Sequence, residues 1–304
     1  MARARSAAAF GAITALAVAL FVLTMILVGA RLDTAVDVPT PDSSEQARQE
    51  SAIAAMRISE GTARIPEAAN ITFDPEQWAL ALGGIWEPWP GGAPQGYTNP
   101  TPDLASPSQN AQQLADEIHN FTIAVLSLGD NDSASAQQRQ TLFVVATQAL
   151  LAQMQLTASS DVPQACGAID YERLGGAASS STDTGKNFVY SADLALQQYE
   201  YEVARLPFDA RDNISHIIGM LHAAIDASLA HGAPDDRILA DSPIENLDSR
   251  QLLAKSLAEV SNSAALGSAE LEAMASYACT LAAYTDAQDV YAGLLTTVQE
   301  GTAQ

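Results

Sequence analysis

The sequence predicts an all-α protein, with an N-terminal transmembrane helix followed by a helical hairpin and an antiparallel four-helix bundle. Three observations carry this. Residues 7–30, "AAAFGAITALAVALFVLTMILVGA", hold no charge. From about residue 104 onward, apolar side chains recur at spacings of three and four. Almost nothing alternates with the period of two that a half-buried strand requires. The chain is read as five segments: 1–31 as membrane anchor or signal segment, 32–103 as an extracytoplasmic linker with short helices, 104–158 as the hairpin, 159–186 as a flexible loop, and 187–300 as the bundle.

The 7–30 stretch is long enough to cross a bilayer as a helix and longer than the usual core of a signal peptide. Arg3 and Arg5 precede it, whereas Asp33, Asp37 and Asp42 outnumber Arg31 after it. That bias holds the N-terminus in the cytoplasm and sends the rest outside. The expected location is the cell membrane, single-pass, with the cytoplasmic membrane engaged through residues 7–30 and the C-terminal domain extracytoplasmic. Val28-Gly29-Ala30 also fits a signal peptidase site, and cleavage near Ala30 gives a secreted form instead. No cysteine lies near the segment, which argues against a lipoprotein.

Within 32–103, "SSEQARQESAIAAMRI" reads as one short helix after a serine cap. "DPEQWALAL" reads as a second, with Asp74 as cap and Pro75 at the first helical position. "GGIWEPWPGGAPQGYTNPTPD" then places Trp86, Trp89 and Tyr97 among prolines and glycines. Either this is an aromatic platform with Trp86 and Trp89 facing a glycan or peptide, or it is a loop whose tryptophans cover an edge of the core.

The helical seams can be counted. Ala111, Leu114, Ile118, Phe121, Val125 and Leu128 form the first. After "GDNDSAS", Leu142 through Leu156 is apolar on two faces, the mark of a sandwiched helix. The Ser-rich stretch after it predicts the loop. Val189, Ala192, Leu196, Tyr199, Val203 and Leu206 form a seam ended by Pro207, and Ile214, Ile218, Leu221 and Ile225 the next, ended at Gly232. Leu253, Leu257, Val260 and Ala264 form another. The last helix carries Met274, Leu281, Gln288 and Leu295 beside Tyr277, Tyr284, Tyr291 and Val298 over four heptads. Short connections between such helices favour antiparallel neighbours.

Charge excludes some partners. With 36 acidic and 14 basic side chains, net −22, the surface repels nucleic acid and anionic headgroups. Lys186 and Lys255 are the only lysines, a bias that suits a GC-rich bacterial genome, where the sequons at Asn70, Asn120, Asn131 and Asn213 carry little meaning.

Chemistry is scarce. Glu200 and Glu202 precede the Pro207 break and His216 and His222 lie beyond it, which suggests a metal site between two helices. Helical phase argues otherwise. His216 and His222, six residues apart, point roughly 120° away from each other. Di-metal carboxylate bundles need Glu-x-x-His on two helices, and the chain contains none; Asp116 and His119, its nearest equivalent, lie off the apolar seam. With the hairpin turn centred near Pro207 and Phe208, Asp193 and not Glu200 is the carboxylate expected nearest His222, as a polar pair. The Tyr277–Tyr284–Tyr291 stripe reads either as ligand-facing or as core packing. Asp183-Thr184-Gly185 spells a protease triplet by chance, and Gly-x-Ser-x-Gly, phosphate-loop and Cys-x-x-Cys patterns are absent. No catalytic residue, metal site or cofactor is expected.

Three stretches, "LALQQYEYEVARLP", "RDNISHIIGMLHAAIDASLA" and "LAKSLAEVSNSAAL", resemble a ferritin-like domain family of unknown function found in exported actinobacterial proteins. The resemblance covers about residues 187–300 and implies a ferritin-like bundle. It carries no metal ligands over, because no position matches the iron-binding pattern. The expected function is non-enzymatic: a membrane-anchored extracytoplasmic bundle binding an envelope protein or small ligand. The alternative is a degenerate metal-binding bundle with Asp, Glu and His ligands.

The two cysteines, Cys166 and Cys279, allow one intramolecular disulfide, which an exported location permits. Heptad phase puts Cys279 on the face turned from the bundle seam, exposed. A structural Cys166–Cys279 bridge with no redox role is expected, joining the hairpin to the bundle, with the two-faced helix packed on the back of the last helix.

Overall fold

A computed structural model of the chain describes residues 16–24, 37–99, 101–102, 104, 107–157, 162–180, 182–235, 237, 248–263 and 265–302. Two units are present, residues 1–40 and 41–304. In the first, residues 16–24 (α1) are helical with exposed side chains. Among the described residues no helix is long and apolar enough to cross a membrane, and the rest of the expected 7–30 span lies outside them.

In the second unit every regular element among the described residues is helical, as the periodicity requires. α2 (Ser43–Arg64) is longer than expected, and its cap is Asp42 rather than a serine: the Asp42 carboxylate accepts the Glu45 amide. α3 (Pro75–Ala81) starts at Asp74 with Pro75 in its first turn, as the sequence predicts. α4 (Ala111–Ser127) buries Leu114, Ile118, Phe121 and Val125. α5 (Ala136–Thr157) is buried nearly all round from Leu142 to Leu156. It packs against α4, α10, α11 and α12. Here α10 is Ser249–Ser261, α11 is Ser268–Thr285 and α12 is Gln288–Thr302. The hairpin is therefore not separate from the bundle: one apolar core runs from Ala52 to Leu295.

The stretch 159–186, expected as a flexible loop, instead holds α6 (Val162–Cys166), α7 (Tyr171–Ser179) and the first turn of α8 (Thr182–Arg205). α7 packs on α9 (Asp212–Ala230), on α11 and on α8. Its small residues permit this. A Cβ on Gly175 would stand 2.5 Å from the Ala227 carbonyl oxygen, so only glycine lets the two backbones approach so closely. Such a helix carries too few large apolar side chains to show a seam.

The long last helix is in fact two. Asp286, at φ 53°, is left-handed and ends α11 before α12 begins. Such a residue breaks the hydrogen-bond ladder and resets the phase of the next helix. The start of α11 is tied to the α4–α5 turn: Asp130 accepts the Ser268 amide at 2.7 Å and the Ser268 hydroxyl at 2.8 Å. Those bonds, the amide foremost, hold the Asp130 carboxyl below its ordinary value. Around α8 the pairs α8–α9, α8–α10, α9–α11 and α10–α11 all pack.

Cys166 and Cys279 are bonded, with S–S 2.06 Å and Cα–Cα 5.6 Å. Heptad phase predicts an exposed Cys279, yet both cysteines are fully buried. The face of α11 opposite the bundle seam is covered by α5 and α6, so the heptad back face is interior.

Candidate functional site

The ends of α2, α3, α4 and α5 converge on a cavity of about 720 Å³, within the ordinary size of a small-molecule site. α2 contributes Ser43, Ser44, Glu45, Ala47 and Arg48; the turn after α3 contributes Leu82 and Gly83; α4 contributes Ser127 and the α4–α5 connection Leu128, Asn131, Ser133 and Ala134; α5 contributes Gln138, Thr141 and Leu142.

Its walls are braced by two side chains. Arg48 Nε donates to Glu45 at 2.7 Å and its Nη2 pairs with the other Glu45 oxygen, while Nη1 donates to the carbonyls of Leu82 and, at 3.0 Å, Gly84. The guanidinium thus clamps the turn after α3 to α2. Asn131 donates to the Ser44 hydroxyl and accepts from the Ser133 amide at 3.0 Å and hydroxyl at 2.8 Å, which closes the opposite wall. Among the described residues of the lining only Glu45 and Arg48 are charged, and each neutralises the other.

Two further cavities are smaller. One of about 440 Å³ lies between α4, α5, α6 and α11 and includes Asp116, His119, Gln153 and Glu272. Another of about 520 Å³ includes Asp170, Arg173, His231 and Glu270; Arg173 pairs with Asp170 at 3.3 Å and with Glu270 at 3.4 Å.

The residues singled out from the sequence are only partly brought together. His222 Nε2 lies 3.5 Å from Glu200 Oε1, both side chains half-exposed. This corrects the expected Asp193–His222 pair. Asp193 is buried and accepts from Gln197 at 2.7 Å. The connection, with its 3₁₀ turn at Phe208–Ala210, runs on to Arg211, the residue midway between Glu200 and His222. A pivot a few residues later than Pro207 moves the facing position by one heptad. Glu202 accepts from Gln198 at 2.9 Å instead, and His216 stacks on Tyr284, centroids 5.5 Å apart. Among the described residues no three His, Cys, Asp or Glu side chains are grouped to hold a metal.

The tyrosine stripe splits at the α11–α12 break. Tyr284 is half-buried against His216, whereas Tyr277 and Tyr291 are core side chains, exposed by 0% and 1%. Neither lines any of the three cavities above. Their hydroxyls have no hydrogen-bond partner among the described residues. Burial raises both phenols above their ordinary value, and nearby Tyr171, Tyr291 and Tyr199 raise Tyr277 further. Trp86 and Trp89 are half-buried; Trp89 meets Tyr97 edge-on at 5.4 Å, and Asn99 pins the loop by accepting the Trp89 amide at 3.2 Å.

Sequence reasoning missed the cavity entirely, because its polar lining is serine, threonine, asparagine and glutamine drawn from four separate stretches. It also missed Trp78, the largest fully buried side chain. Trp78 stacks on Phe121 at 5.5 Å and donates to Gln148 Oε1 at 2.8 Å, and Gln148 in turn donates to the Tyr291 carbonyl at 2.7 Å. The only cue was a tryptophan on a capped helix. No family model matches the chain, and neither a curated protein nor a solved structure matches it.

Proposed function

We propose that this chain is a non-enzymatic, membrane-anchored extracytoplasmic protein whose helical unit binds a small ligand. The observation that carries the binding reading is the braced cavity of about 720 Å³ beside α2. The address is supported by the uncharged 7–30 segment with its flanking charges, and by a fully buried disulfide, which persists in oxidising compartments. The closed set of packed pairs among α8, α9, α10 and α11 supports the ferritin-like resemblance of residues 187–300 as the bundle to which the cavity-bearing helices are attached.

The test is a thermal-shift screen of the detergent-solubilised full chain against small metabolites, repeated with Ala47→Trp, which puts an indole at the cavity wall. Ligands that raise the melting temperature of the parent but not of the variant support the reading. A screen without any such ligand, or saturable turnover by the purified protein, overturns it.

A further inference from the structure

We infer that the cavity takes an uncharged, polyhydroxylated ligand, a sugar of one or two rings; this rests on the reading of the cavity as the binding site. The first ground is charge. The chain carries net −22, yet among the described residues this lining has one carboxylate and one guanidinium, already joined through two oxygens. A charged ligand has no counter-ion here unless it breaks a pair that also holds the Leu82 and Gly84 carbonyls.

The second ground is the mixture of donors and acceptors. Ser127 and Thr141 donate their hydroxyl protons to the carbonyls of Ala124 and Gln137, leaving oxygen lone pairs toward a ligand. Ser44 accepts from Asn131, which leaves its own proton to donate. An anion offers only acceptors and an ammonium only donors, so each matches half of such a surface. A sugar hydroxyl does both. Leu82, Leu128 and Leu142 supply apolar wall for the C–H faces of a ring.

The experiment is isothermal titration of the full chain, held in a polyoxyethylene detergent because maltoside micelles would compete. The probes are glucose, maltose and maltoheptaose, with glucosamine and gluconate as charged counterparts. The expected result is that at least one neutral probe binds tenfold or more tightly than both charged ones, and that Ala47→Trp weakens it by tenfold or more. Tight maltose with weak maltoheptaose identifies a free sugar; equal affinity identifies the end of a glycan chain. Charged probes binding as tightly as neutral ones, with loss in Ala47→Trp, overturn the ligand class and leave the site standing. Neutral probes that bind parent and variant alike lie elsewhere and overturn the inference. If none of the five binds but the metabolite screen yields an Ala47-sensitive ligand, the sugar assignment alone falls; if that screen is also blank, the binding reading falls with it.

Discussion

The Arg48 guanidinium lies against the bare α-carbon of Gly83, where a Cβ would stand 2.8 Å from Nη1. Gly83 also has φ +94°, a conformation that L side chains rarely adopt. The positive φ selects glycine at this turn, and a Cβ there would also displace the end of the Arg48 side chain that clamps the turn to α2. Gly83→Ala is expected to cost about 1–3 kcal/mol and to loosen the cavity wall; urea unfolding of parent and variant measures it.

The bridge between Cys166 and Cys279 closes 113 residues of sequence separation. In the chain-entropy account a loop of this length is worth about 4–5 kcal/mol. The double variant Cys166→Ala/Cys279→Ala is expected to lose most of that in denaturant unfolding. Because both cysteines are fully buried, thiol titration of the folded parent should find none free, and reductant should act only as the protein opens.

Gln148 is the polar link of the core, accepting from Trp78 and donating to the Tyr291 carbonyl. Gln148→Leu keeps the bulk but strands the buried Trp78 indole N–H and removes the second donor from the Tyr291 carbonyl, which lies inside α12. The expected loss is about 1–3 kcal/mol, read from the denaturant midpoint.

Tyr277 and Tyr291 invert the usual sign. Each buries a hydroxyl without a partner among the described residues, so Tyr277→Phe and Tyr291→Phe are expected to stabilise by about 1 kcal/mol each. Burial raises their folded pKa above the ordinary 10.0. The folded state therefore keeps protons that the unfolded chain sheds, and stability present below pH 10 is lost as the pH rises through the folded value. The phenylalanine variants should flatten that alkaline fall in a pH series of melting temperatures.

His222 and Glu200 touch, but both are half-exposed. His222→Ala is expected to change stability by less than about 0.5 kcal/mol. A larger loss by urea unfolding would show a structural role that the geometry does not support.

The sequence by itself determined the helical class, the seam of α4, the two-faced burial of α5 and the start of α3 at Asp74. It also pointed to the pairing of Cys166 with Cys279. These rest on periods of three and four, on capping chemistry and on there being only two cysteines, all local or countable properties. Tertiary structure decided the rest. α7 is a helix because α9 approaches Gly175 closely enough to cover its small residues, a partner that no window of sequence contains. The break at Asp286 overrides a heptad pattern that runs through it, and so leaves Tyr284 half-buried while Tyr291 enters the core. Cys279 is buried because α5 and α6 cover the back of α11. The facing of Glu200 and His222 depends on where the connection between α8 and α9 turns, and a shift of a few residues there changes the facing carboxylate by a heptad. The cavity obeys the same logic: four element ends meet around Arg48, and only the folded arrangement brings their hydroxyl groups to one surface.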